Sequence, residues 1–133
     1  MMRKVLAVSL MLVVAGVLAF AQEGEQAAQP SKLTGYLIDN LCAGEHAGDA
    51  EGMAETAQGH PTACALMPSC TAAGFSLVSD KKTYKLDEAG NKLALAVLKT
   101  TKATKGLQVE VEGTLDGDNF LRASKVSEVK AAK

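Results

Sequence analysis

Apolar residues divide the chain into an N-terminal apolar block, a polar stretch, and a longer region where short periodic segments alternate with turn residues. Val5 to Ala21 is apolar almost throughout, and Gln22 to Lys32 is rich in Gln, Ala and Glu. Leu33-Thr-Gly-Tyr-Leu-Ile-Asp39 then combines β-branched, aromatic and aliphatic residues, which predicts a first strand. Gly35 within it predicts a bulge or bend. Ala43 to Gly59 has Met53 as its one sizeable hydrophobe, and propensity allows a short helix over 50–57 capped by Asp49. His60-Pro61 reads as the entry to a helix over 62–66, with Pro61 where a missing N–H costs nothing. Pro68 disfavours helical geometry at Met67, so the helix must kink or end there. One further turn follows, with Gly74 as a left-handed cap.

Beyond Gly74 the period changes. Residues 75–79 and 83–86 alternate around Asp80-Lys81-Lys82, a hairpin pattern. Asp87 to Asn91 breaks the strand, and the Leu/Ala-rich 92–100 predicts a helix burying Leu93, Val97 and Leu98, with a strand as the competing reading. Leu107, Val109 and Val111 alternate with polar residues in a half-buried strand that Gly113 ends or bulges. After the turn at 116–119, a last strand over 120–129 places Phe120, Arg122, Ser124 and Val126 on one register. Five strands with a helix between the third and fourth is the chain order of an OB-fold, a small Greek-key barrel. The expected domain is therefore mainly β with small α content, spanning 33–129. Its first connection, 43–74, is enlarged into an insertion.

The apolar block begins after Arg3 and Lys4, is short for a membrane span, and ends in Ala19-Phe20-Ala21. That layout predicts a signal peptide cleaved after Ala21, a flexible leader over 22–32, a tail over 130–133, and a periplasmic or secreted protein with no stable membrane insertion after cleavage. Losing Arg3 and Lys4 from 14 basic residues against 15 acidic ones leaves a mildly acidic remainder. No basic block marks a nucleic-acid partner, and with no Trp, three Phe and two Tyr, stacking platforms are scarce.

Candidate chemistry concentrates in His60-Pro-Thr-Ala-Cys64-Ala-Leu-Met-Pro-Ser-Cys70, with Cys42 across the insertion. Three cysteines is an odd number for an exported chain, so one is left over from any internal pairing. On an unbroken helix, Cys64 and Cys70 would lie about 240° apart and roughly 9 Å along the axis, too far for a bridge. Three readings follow. Two cysteines form a structural disulfide and the third packs as a small hydrophobe. Alternatively Cys42, His60, Cys64 and Cys70 form a tetrahedral site for zinc or copper, with Asp39 orienting His60 from behind. In the third, a free thiolate attacks a neighbouring bridge in thiol-redox chemistry, although no Cys-x-x-Cys is present. His46, Met53 and Met67 could extend a copper-like set, and Glu45, Asp49, Glu51 and Glu55 read as a solvated acidic face rather than a calcium loop.

Gly35-Tyr-Leu-Ile-Asp39 with Cys42, His60-x3-Cys64-x5-Cys70, Gly74, Tyr84-x-Leu86-Asp87-x2-Gly90-Asn91 and Val109-x-Val111-x-Gly113 resemble a family of small, mostly uncharacterised exported bacterial proteins. The resemblance covers about 33–129 and implies an OB-like domain with a Cys/His core. No Ser-His-Asp set, phosphate loop or His-Glu-x-x-His motif is present. The expected role is binding, of a soft metal or of a protein or small-ligand partner, rather than catalysis.

Overall fold

A computed structural model describes residues 29–130. The expected signal peptide, residues 22–28 of the expected leader and residues 131–133 of the expected tail lie outside the described residues.

The first strand, β1, spans Gln29–Asp39 and so begins inside the stretch read as leader. Its first half pairs antiparallel with β4 (Gln108–Asp116), from Gln29↔Leu115 to Tyr36↔Gln108. Its second half pairs with β2 (Phe75–Ser79), from Tyr36↔Val78 to Asp39↔Phe75. Polar, Pro-containing residues join the strand because β4 supplies a ladder for them, a tertiary partner that local composition does not show. β3 (Lys82–Leu86) forms a hairpin with β2, and β5 (Phe120–Glu128) pairs parallel with β3 and antiparallel with β4. The five strands of this mixed sheet ring round in the order β1-β2-β3-β5-β4.

The predicted hairpin forms through Asp80 and Lys81, both at positive φ (48° and 63°). That is the two-residue turn whose twist matches the flanking strands. The last strand departs from its expected register. Leu121 and Ala123 face the core, while Arg122 and Ser124 are exposed. A bulge opposite Glu112/Gly113 leaves Ser124 unpaired, so that Val126 returns to the inner side opposite Val111. One extra residue shifts the period-2 pattern by one, and strict alternation cannot anticipate it.

Helix takes nearly as much of the described residues as strand, 39% against 40%, which corrects the expectation of small α content. Two of the additional stretches follow aspartates. Asp39 caps α1 (Asn40–Glu45). Asp87 caps α5 (Glu88–Thr100), accepting from Gly90 N–H at 2.9 Å and from Ala123 N–H on β5 at 3.1 Å. A side-chain carboxylate that satisfies orphan amides turns what read as a strand breaker into a helix start. The buried stripe of α5 is Gly90, Ala94 and Leu98; Leu95 and Val97 pack against it from the flanks. The insertion carries α2 (Ala50–Gly59), capped by Asp49 as expected, then α3 (Thr62–Ala65) and α4 (Pro68–Ala73). Met67 is extended (φ −62°, ψ 144°), so the chain does break before Pro68, and Gly74 closes α4 at φ 83°.

Two cores result. Inside the ring, Leu37, Phe75, Leu77, Leu86, Val109, Val111 and Leu121 pack with Ala94 and Leu98 of α5. On its outer side, Ile38 and Val78 are covered by Ala43, Met53 and Ala57 of α1 and α2. Both faces of β1 and β2 are therefore buried where they meet, and β2 is buried at all five positions. Among the described residues no helix is long and apolar enough to cross a membrane.

Gly35 sits where β1 passes from one partner to the other, and a Cβ there would collide with the Val78 carbonyl. Gly35→Ala should lower stability by about 1–3 kcal/mol through overpacking. Gly44→Ala, in open space on α1, should leave stability unchanged or slightly raised. Urea denaturation of the two variants side by side checks the pair.

Candidate metal centre

The end of β1 brings the chemistry together. Asp39 is wholly buried and hydrogen-bonded into the sheet opposite Phe75. Its Oδ1 accepts from Leu41 N–H at 3.1 Å and Cys42 N–H at 3.0 Å. This cap sets the direction of α1 and places Cys42 beside the carboxylate that holds its amide.

His60 arrives from the other side. It follows α2 with extended backbone (φ −64°, ψ 120°), so it shares no helix with Cys64. The i, i+4 spacing of His60 and Cys64 therefore sets up no shared helical face, yet the two residues still meet. They meet because the α5–β4 connection grips the chain between them: Gly106 N–H donates to His60 O at 3.0 Å, Pro61 bridges Lys105, and Thr62 bonds Thr104 and Ala103. Gly106 (φ 59°) allows this approach, since a Cβ there would strike the Gln58 carbonyl. Cys64 is then presented by the single turn of α3.

Asp39, Cys42, His60 and Cys64 each offer one ligand atom, and these atoms lie within 4.8 Å of one another. Three of the four expected ligands are thus in the cluster. Asp39, expected behind His60, itself offers a ligand atom to the set. Cys70 is outside this set, buried on α4 near Cys64 and Asp39. None of the three cysteines is bridged. A tetrahedral centre with bonds of about 2.0–2.3 Å sets neighbouring donors roughly 3.3–3.8 Å apart, so closure needs movements of about an ångström.

His60 Nε2 lies 2.7 Å from Asp39 Oδ2, with the two side chains 4% and 0% exposed. The two atoms face each other at ion-pair distance, and neither has a further hydrogen-bond partner among the described residues. A buried carboxylate oxygen and imidazole nitrogen that have only each other are incompletely matched, which is costly. Both would be satisfied by one cation between them and the thiols, and the donor set of two sulfurs, one nitrogen and one oxygen suits zinc. Burial pushes the Cys42 thiol up to about 12, helped by the Asp39 carboxylate and then by the other two thiols. Burial, then Asp39, also raises Cys70. The pocket is crowded with acids that resist ionising together, and a cation that took up their charge would have to displace those protons.

The other candidates lie apart from the cluster. His46 Nε2 is 3.1 Å from Thr56 Oγ1. Met53 is buried in the outer core, whereas Met67 is exposed rather than a core residue. Glu45, Asp49, Glu51 and Glu55 are all exposed, with Asp49 capping α2 and Glu51 paired to Lys81 at 3.0 Å. The direct part played by Asp39 was missed in the sequence. Its signal was there: an aspartate ending an apolar strand, three residues before a cysteine, is an N-cap pattern. The chain matches no protein-family model, no curated protein and no solved structure.

The raised Cys42 affinity for its proton has a definite sign. In the metal-free folded protein this residue stays a thiol through neutral and mildly alkaline pH, and the nucleophilic thiolate accumulates only as pH climbs toward about 12. Alkylation of Cys42 by iodoacetamide, followed by peptide mass, should rise about tenfold per pH unit well past pH 9, levelling near 9 in urea, where the thiol titrates normally.

Proposed function

We propose that this protein is an exported zinc-binding domain of OB-like architecture, whose ligands are Asp39, Cys42, His60 and Cys64. The observation that carries the reading is the buried Asp39 Oδ2 and His60 Nε2, 2.7 Å apart, with no polar partner beyond each other and flanked by two thiols that complete a four-donor set. The strand order β1-β2-β3-β5-β4, with α5 between β3 and β4, supports the OB-like assignment. Export rests on the N-terminal pattern of charge, apolar block and small residues.

Zinc is favoured over copper by the fourth donor. Cu(I) selects thiolate and thioether ligands, and a carboxylate in place of a third sulfur suits a borderline ion. A purely disulfide-stapled binding module, or a set in which Cys70 replaces Asp39, makes a different prediction from this one. The purified reduced protein should take up one zinc ion, measured by native mass spectrometry and by a raised melting temperature. Cys64→Ser and His60→Ala should each weaken binding by more than the 10–100-fold typical of outer partners. Cys70→Ser should leave it within a few-fold. Loss of zinc on Cys70→Ser with retention on Asp39→Asn would transfer the fourth position to Cys70.

A further inference from the structure

The cluster has an inner and an outer side. Asp39, His60 and Cys70 are buried, whereas Cys42 and Cys64 are partly exposed. The sulfurs of these two accessible thiols lie within 4.8 Å of each other. They come from separate elements, α1 and α3, joined only through the long insertion. We propose that Cys42 and Cys64 form a reversible disulfide with small-molecule disulfides such as oxidised glutathione, and that this bridge and the metal exclude one another.

The geometry selects this pair. A disulfide has a sulfur–sulfur bond of about 2.05 Å, so the two atoms must approach by less than about 2.8 Å, which is the scale of a thiol rotamer change. Cys70 is shielded from an incoming disulfide by burial. It also follows Cys64 across the extended Met67, at the start of a separate helix. Cys70 is therefore the thiol left over from the odd count.

The chemistry balances with water as the proton carrier. One protein thiol gives its proton to water, and its thiolate attacks a sulfur of the glutathione disulfide, whose S–S bond breaks and releases one glutathione thiolate. The second protein thiol gives its proton to that leaving group and attacks the mixed disulfide. The protein S–S bond forms and the second glutathione leaves as a thiolate, which takes up from water the proton that the first cysteine released. Two electrons pass from the protein sulfurs to glutathione, and the protein ends with one bridge and one free thiol.

Bridged sulfurs cannot serve as thiolate ligands, so oxidation removes two of the four donors at once. Bound zinc, in turn, occupies both sulfurs and withholds them from attack. This exclusion rests on the metal reading above; the choice of pair does not.

Full-length purified protein, reduced, is incubated with oxidised glutathione in zinc-free and zinc-loaded forms, and followed by intact mass and peptide mapping. The zinc-free protein should lose two hydrogens, yield a Cys42–Cys64 crosslinked peptide and keep Cys70 alkylatable. Cys70→Ser should form the same bridge. Zinc at a hundred times its Kd should slow bridging roughly 100-fold, and the oxidised protein should take up zinc only after reduction. A bridge to Cys70, or stable glutathione adducts with no internal bridge, overturns the pairing even if zinc binds. Equal rates with and without bound zinc overturn the exclusion. If reduced protein binds no zinc but forms the Cys42–Cys64 bridge, the pairing stands and the metal reading falls.

Discussion

Asp39 divides its carboxylate between two tasks. Oδ1 holds the first amides of α1, and Oδ2 is held against His60. Burying a carboxylate is expensive unless its oxygens are matched, yet this one cannot withdraw, because its backbone is part of the β1–β2 ladder. Its neighbour extends the same anchoring. Asn40 donates from its backbone to Gly74 O and from its side chain to Ala73 O, each at 2.9 Å, and accepts from Ser76 Oγ. The end of one strand thus fixes α1 and the exit of α4, so Cys42 and Cys70 approach a common place. The connection after α5 fixes His60 and Cys64 there independently.

The ring matters to the site through rigidity. β1 and β2 are buried on both faces near Asp39, inside by the ring core and outside by α1 and α2. Side chains on such a strand end are held more tightly than those on a free loop. The helical insertion gains order from the same contact. It has few large apolar residues, and it is Met53, Ala43 and Ala57 against Ile38 and Val78 that attach it.

Much of this was legible in the chain. Alternation located β2, β3 and β4, Asp49 marked α2, and Pro68 with Gly74 marked the limits of α4. What alternation could not show is pairing supplied from a distance. Gln29 to Lys32 become strand through β4, and Ser124 bulges because of where Gly113 falls on the neighbouring strand. The candidate site divides in the same way. His60 and the cysteines stood out by residue type, and His60 met Cys64 for a reason other than helical spacing. Asp39 stood out less, since an aspartate at a strand end is ordinarily a turn former. Its role depends on burial, which only the folded chain supplies.

Among the described residues four polar or charged ones are buried: Asp39, His60, Ser76 and Ser79. The two serines obey the general rule. Ser76 donates to Asn40, and Ser79 donates to the Thr34 carbonyl at 2.7 Å. Asp39 Oδ2 and His60 Nε2 have only each other, side by side among thiols, with no further hydrogen-bond partner. A small domain has a modest core to offset such a cost, so a cluster of this kind, set in an otherwise consistent fold, is better explained by a ligand than by packing. The acids around it point to the sign of that ligand. Cys42 and Cys70, whose protons burial and the Asp39 carboxylate hold tightly, would exchange those protons for a cation and not for an anion or a neutral apolar group.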